Sequence, residues 1–487
     1  MRRALQYLAT SAAVLCCIII ILYGDRNFAK FPDFRPAAVS KLTLETRELK
    51  FQDIGLLKGL GVEFLPNFKN PCWYEVTEAH NDLGKNKSFY ASLSKSPSLS
   101  KYRYKRETKK ILRCLPYFFL TGQPKCATTD IFQRINIHPD VVEPIIKGPH
   151  WWTRRRFGPP YAPQPVTLSE YLGVFNASRI EEERTDLRDA SQGWFHEKIT
   201  GDGSTSTLWD SSLTMSYLHK IMAGSMHKPI TKYLLSRRHG SNSLSNTQTY
   251  SLKIKEAEDG VYVNDEENLQ EFKYHQYHNE DGIVLPFTVA DVIHSVLPKS
   301  RIIAVIREPL SRLYSSYLFF TKKTSLSPED FDENVKTSIQ KWKNCIREYS
   351  DRTCAYNKTL QNSMGVRLYN GLYSIFIRDW LKVFQRKHVL ILRMEDYHQN
   401  ITETMDTIFS HLDLRKLTQE EGRKVNMAPV RNKNRKKPEI GKMPESTADI
   451  LQAFYKPYNR DLANLLQDSR FTWEDIYSKG HPEQLHD

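Results

Sequence analysis

Residues 117–130, YFFLTGQPKCATTD, restrict this chain more than any other stretch. The apolar run from Tyr117 to Leu120 reads as a buried strand. It breaks at Gly122 and Pro124, and a helix pattern follows from about Thr128 to Ile137. A strand, a turn of small residues and a helix start aim backbone N–H groups at one point, which attracts an anion. Lys125 adds a cation there, and Thr128 and Thr129 add two hydroxyls. The spacing departs from G-x-x-x-x-G-K-[ST], because Lys125 stands only three residues after Gly122. Taken alone, the segment also fits an ordinary strand–turn–helix.

A second segment of the same kind lies downstream. RIIAVIR (301–307) is a buried-strand pattern, and EPLSRLYSSYLFF follows it to Phe320. Pro309 suits a first helical turn. Arg312, Ser315 and Ser316 recur at helical spacing and share a face, while Arg307 ends the strand. Open α/β sheets bind ligands at the carboxyl ends of their strands. Two such ends, one with Lys and Thr and one with Arg and Ser, suit a ligand with two separated anionic groups. Further strand and helix patterns at His388–Leu392, Gln399–Leu412 and Thr447–Leu466 predict an α/β fold, a parallel sheet flanked by helices.

GQPKCATT (122–129) and REPLSRLYSSY (307–317) together resemble the two nucleotide-binding motifs of the Golgi carbohydrate sulfotransferases. PCWY (71–74), LRCLP (112–116), PHWWTR (149–154), STLWD (206–210), GLY (371–373), DWL (379–381), LRMED (392–396) and FYKP (454–457) extend the likeness from about Phe64 to Trp473. The resemblance implies a P-loop-like sulfotransferase fold and 3′-phosphoadenosine 5′-phosphosulfate (PAPS) as co-substrate. Gly122, Gln123, Pro124, Lys125, Cys126, Ala127, Thr128 and Thr129 would hold the 5′-phosphosulfate. Arg307 and Ser315 would hold the 3′-phosphate, and a loop ending at Gly441 and Lys442 would cover the nucleotide. The acceptor it implies is a sulfated glycosaminoglycan, with the 6-OH of N-acetylgalactosamine 4-sulfate in chondroitin sulfate as the expected position.

Chemistry assigns roles within that frame. Sulfuryl transfer builds charge on a departing phosphate oxygen, so Lys125 is the natural electrostatic stabiliser. No metal is needed, and the sequence carries no convincing metal motif; His275 and His278 have no third ligand nearby. The acceptor hydroxyl needs a base. Relatives place a glutamate immediately before Pro-His-Trp-Trp; this chain reads KGPHWW (147–152), with Gly148 in that place. His150 is the first substitute base and Glu143 the second. The alternative is a catalytically impaired protein that binds PAP and glycosaminoglycan on the same fold. A nucleotide kinase is a third reading, opposed by the missing Walker spacing. His150, Trp151, Trp152, Arg154 and Arg155 form the expected acceptor surface, the arginines for sulfate and carboxylate and the tryptophans for sugar faces. Cys126 is expected to serve as a small turn residue and not as a nucleophile.

The 487 residues carry a formal charge of +14, which calls for a polyanionic partner. The N-terminus narrows the choice. Two arginines precede an apolar run over 4–23, and about 20 apolar residues suffice to cross a bilayer. We therefore expect a cytoplasmic tail (1–3), a transmembrane signal anchor (4–23), a stem (24–69) and a lumenal sulfotransferase domain (70–487). A cleaved signal peptide is the competing reading. Such an enzyme would be a single-pass type II protein of the Golgi membrane, which argues against nucleic acid as partner; a homodimer stays open.

An oxidising lumen would pair Cys345 with Cys354 and Cys72 with Cys114, leaving Cys126 free. Cys16 and Cys17 lie within the apolar run. N-glycosylation sequons stand at Asn86, Asn176, Asn357 and Asn400. The stretch 236–281 is polar, lacks hydrophobic periodicity and reads as a surface insertion.

Overall fold

A computed structural model describes residues 63–77, 109–182, 195–216, 287–321, 326–430 and 440–478. The expected anchor at 4–23, Asn86, the expected insertion at 236–281 and the basic run RNKNRKK (431–437) lie outside the described residues. Among the described residues no helix is long and apolar enough to cross a membrane.

The central sheet has four parallel strands in the order β4-β3-β5-β6. These are β3 (Phe118–Gly122), β4 (Gly201–Asp202), β5 (Arg301–Ile306) and β6 (Val389–Arg393). β1 (Cys72–Thr77) and β2 (Lys109–Cys114) form a separate antiparallel pair. This small sheet was not expected from the sequence. β3 and the middle of β5 are buried throughout, as continuous apolar runs in a parallel sheet should be.

The helices that matter to the site are α1 (Thr128–Ile137), α2 (Val289–Val296), α3 (Pro309–Phe320), α4 (Pro328–Ile346), α5 (Tyr373–Val383), α6 (Ile401–His411), α7 (Gln419–Asn426) and α8 (Glu445–Leu466). α1 and α3 each follow directly from the carboxyl end of a strand. Thr288 starts α2 with a capping box, and Glu308 caps α3 by accepting from the amides of Leu310 and Ser311. On one face of the sheet, Phe118, Leu120, Ile303 and Val305 pack against Ile131 and Ile135 of α1 and Met405, Ile408 and Phe409 of α6. Phe119 points the other way and meets Trp152 edge-on at 6.3 Å.

Strand order turns at β3, which has β4 on one side and β5 on the other. That is where an open α/β sheet leaves a crevice outside its strand ends. Both expected disulfides, Cys72–Cys114 and Cys345–Cys354, are formed, and Cys126 is a buried free thiol. Asn176 is part-exposed; Asn357 and Asn400 are exposed and cap helices through their side-chain oxygens.

Candidate active site

The turn after β3 is held from both sides. Its register shifts against β5 between Leu120 and Gly122, and the Thr121 carbonyl accepts from the Leu208 amide instead. A Cβ on Gly122 would stand 3.1 Å from Leu208 Cβ and 3.2 Å from the Thr205 carbonyl, so glycine lets the 201–210 run close over the turn. Lys125 and Ala127 adopt left-handed backbone, with φ of 69° and 52°. No side chain caps α1, so its first amides face the crevice beside Thr128 and Thr129.

Within this turn the side chains divide by direction. Cys126 is buried in the core, and burial pushes its thiol up to about 12, which makes it inert. Gln123 is wholly buried, and both its amide atoms lack a hydrogen-bond partner among the described residues. Lys125 reaches across the mouth to α3, its Nζ 3.9 Å from the centre of the Phe319 ring. Burial first, and the neighbouring Arg307 second, bring its ammonium down to about 8. Arg307 therefore lies close enough to act on Lys125, as two strand ends in one crevice require. Ser315 is part-exposed on α3. Arg312 and Ser316, which share its helix face by spacing, are buried instead, and Arg312 donates to the Arg367 carbonyl at 3.0 Å.

The KGPHWW segment closes the other side. His150 has φ of 49°; its amide donates to Ser204 Oγ at 2.8 Å, and its Nδ1 lies 2.7 Å from Ser206 Oγ. Burial, then Arg154, Arg155 and Lys147, hold the imidazole well below its usual range, so it is neutral near pH 7. Gly148 has no left-handed backbone to accommodate. A Cβ there would stand 3.1 Å from His150 Nε2, so Nε2 borders the space a longer side chain would fill. Glu143 is exposed on the segment leading in.

The acceptor surface expected from this segment needs correction. Trp151 and Trp152 are buried at 0% and 1% exposure, and their faces are occupied inside the protein. Trp151 stacks on Tyr171 at 4.8 Å and donates to the Val166 carbonyl; Trp152 donates to the Tyr171 hydroxyl. Neither ring is open to a sugar. Their indole N–H groups found partners inside the fold, which removes the cost of burying them. Arg154 is also engaged, donating to Asp210 at 2.6 Å with its guanidinium over Tyr161 and Trp209. Arg155 is part-exposed next to it. Lys358 joins this group: burial opposes its charge, but Asp210, Tyr161 and Tyr369 outweigh it and hold its ammonium charged.

Gly441 and Lys442 are exposed, and the Gly441 carbonyl accepts from Tyr314 Oη of α3 at 2.9 Å. The other flank of the basic run is tied to α1. Arg134 donates to the carbonyls of Val425, Asn426 and Ala428 just before that run.

Sequence reasoning missed one group at the centre. Lys147 donates to Thr128 Oγ1 at 3.1 Å and Thr129 Oγ1 at 3.0 Å, which places a second cation at the turn between β3 and α1. Burial alone brings it down to about 7. Its place beside the KGPHWW motif was the available signal. Lys358 and Arg134 had none. Among the described residues there is no cluster fit to hold a metal ion.

Residues 285–455 match the family model described as a sulfotransferase domain, a range that includes Arg307, Ser315, Gly441 and Lys442. Carbohydrate sulfotransferase 15 of Homo sapiens is 32% identical over 450 residues, covering 88% of this chain and 69% of the relative. The Mus musculus protein of the same name is 31% identical over 451 residues with the same coverage. A solved sulfotransferase from Alicyclobacillus acidocaldarius overlaps with a TM-score of 0.40 at 15% identity, over 73% of this chain and 98% of that one. The crevice at β3 and β5 and the likeness to carbohydrate sulfotransferase 15 over 88% of this chain lead to one conclusion: the chain belongs to the carbohydrate sulfotransferases and is a sulfotransferase enzyme.

Proposed function

We propose that the protein transfers a sulfuryl group from PAPS to the 6-OH of N-acetylgalactosamine 4-sulfate in chondroitin sulfate. The reading places it in the Golgi lumen behind a type II anchor at 4–23, with N-linked glycans at the four sequons. The observation that carries it is the gathering of Lys147 on the start of α1 and of Lys125 beside Arg307 at the neighbouring strand ends, with His150 Nε2 beside the gap at Gly148. Three cations with no carboxylate in contact among the described residues, and the Gln123 amide with no partner among them, suit a ligand rich in phosphate and sulfate oxygens.

PAPS supplies an activated sulfuryl group and a stable phosphate leaving group. Lys125 would neutralise charge at the bridging oxygen, while Thr128, Thr129 and the α1 amides hold the 5′ end. Arg307 and Ser315 would hold the 3′-phosphate. His150 would accept the acceptor's hydroxyl proton at Nε2, with Nδ1–H fixed on Ser206. A buried, neutral imidazole is in the form this step needs, and the step requires no carboxylate at position 148. Arg154, Arg155 and Lys358 supply positive charge for an anionic acceptor.

The test is transfer of labelled sulfate from PAPS by the purified chain. Chondroitin 4-sulfate, unsulfated chondroitin, dermatan sulfate and heparan sulfate serve as acceptors beside a Lys125→Ala control. The expected result is transfer to chondroitin 4-sulfate that falls by roughly a hundredfold or more in the control. Gly148 favours a second reading, a binding protein with impaired catalysis. No transfer to any acceptor with PAP binding intact, and transfer appearing in Gly148→Glu, would select it.

A further inference from the structure

Lys147 is an anomaly in the ligand-free protein. Its ammonium is part-buried, with two hydroxyls for partners and, among the described residues, no carboxylate acting on it. Buried lysines are normally paired, because desolvating a lone ammonium costs several kcal/mol. Among the described residues nothing nearby supplies the missing charge. On its own segment the titratable neighbour is His150, which is neutral, with Arg154 and Arg155 beyond. On β4, Asp202 is committed to Tyr171 Oη and the Ser204 amide. On α1, Asp130 is committed to Arg134 and Tyr397. The donor loop contributes another cation, Lys125.

The site is also built around this side chain. A Cβ on Gly203 would stand 2.9 Å from Lys147 Cγ, 3.0 Å from the Lys147 carbonyl and 3.0 Å from Phe132. Glycine at 203 leaves the channel through which the lysine stem reaches the two threonines, and the Gly203 amide donates to the Lys147 carbonyl at 2.8 Å.

We propose that Lys147 is a second cation for the donor's 5′-phosphosulfate, and that it takes up a proton from solvent as the donor binds. This rests on the PAPS reading above. The donor supplies the negative charge that the fold withholds, so an amine shared between neutral and charged forms becomes fully charged in the complex. Donor recognition is thereby linked to pH. In the free protein burial brings the amine down to about 7, so its neutral and charged forms are both populated near pH 7. Above that, each unit of pH weakens binding by up to tenfold through this one group.

The experiment is calorimetric titration of the purified full chain with PAP, in buffers of different ionisation heat, between pH 6 and 9. The wild-type protein is compared with Lys147→Arg, which cannot lose its charge, and Lys147→Met, which keeps the stem. PAP contributes its own phosphate protons equally to all three, so differences isolate the lysine. Wild type should take up about half a proton more per PAP than Lys147→Arg at pH 7. Lys147→Met should bind PAP at least tenfold more weakly yet melt at a higher temperature without ligand, because the unpaired ammonium is gone. Gly203→Ala, which crowds the stem without touching the charge, should weaken PAP as well. Equal proton uptake in wild type and Lys147→Arg, or unchanged PAP affinity in Lys147→Met, would overturn the proposal. No PAP binding by the wild-type protein at any pH would remove the donor reading itself, and the proposal with it.

Discussion

Replacing Arg134 by leucine tests whether the donor loop and the basic run are mechanically joined. The guanidinium is 1% exposed. It donates to Asp130 Oδ2 at 3.0 Å, Tyr397 Oη at 2.8 Å, the Asn426 carbonyl at 3.2 Å and the Ala428 carbonyl at 2.8 Å, and also to the Val425 carbonyl. Leucine would fill much of the space but take the guanidinium away from Asp130, itself 3% exposed, which keeps the Tyr397 hydroxyl. Removing one partner of a buried ion pair costs about 3–5 kcal/mol, most of it from the charge left behind. The three carbonyls lie at the end of α7 and can recruit water, so they add little. Urea unfolding should therefore show a loss in that range, and Asp130→Leu combined with Arg134→Leu should recover at least about 2 kcal/mol of it. Freed carbonyls at 425–428 release the entry to the 431–437 run, so KM for PAPS should rise more than kcat falls. A single-variant cost under about 1 kcal/mol, with no coupling to Asp130, would refute the reasoning.

Three further outcomes follow from other groups. Burial raises the Asp202 carboxyl to about 6, against an ordinary value of 3.8, so the folded state holds its proton more tightly than the unfolded chain does. Its contribution to stability is present below pH 4 and lost as pH rises through 6; urea midpoints of Asp202→Asn should therefore fall less than those of wild type between pH 4 and 6.5. Cys126 should resist iodoacetamide in the native protein and label only after denaturation, as peptide mass spectrometry can show, and Cys126→Ala should keep PAP affinity within about threefold. Replacing Cys345 and Cys354 by alanine opens a loop of sequence separation 9 and should cost about 2–3 kcal/mol in chemical unfolding.

The two strand–turn–helix segments were legible because each is local. An apolar run, a break at glycine or proline and a helix start are set by neighbours in the chain, and β3–α1 and β5–α3 formed where those patterns lay. β6 and α8 fell within two residues of their expected bounds. β1 and β2 were not legible, since a two-stranded pair that buries one side carries little periodicity and its strands are far apart in sequence. The tryptophans misled for a related reason. An indole beside arginines fits a sugar surface or a core equally well, and only the positions of Tyr171, Val166 and Phe119 decide between them.

What the sequence by itself determined was the α/β class, the strand–turn–helix that carries Lys125, the strand end with Arg307, and the two cysteine pairs. Each follows from residue type and short-range spacing. Tertiary structure alone decided that Lys147 meets threonines 18 and 19 residues away, that His150 Nε2 borders Gly148, and that Arg134 grips carbonyls more than 290 residues downstream. Those contacts depend on burial and on which surfaces the sheet brings together, and such distances leave no period in the chain to read.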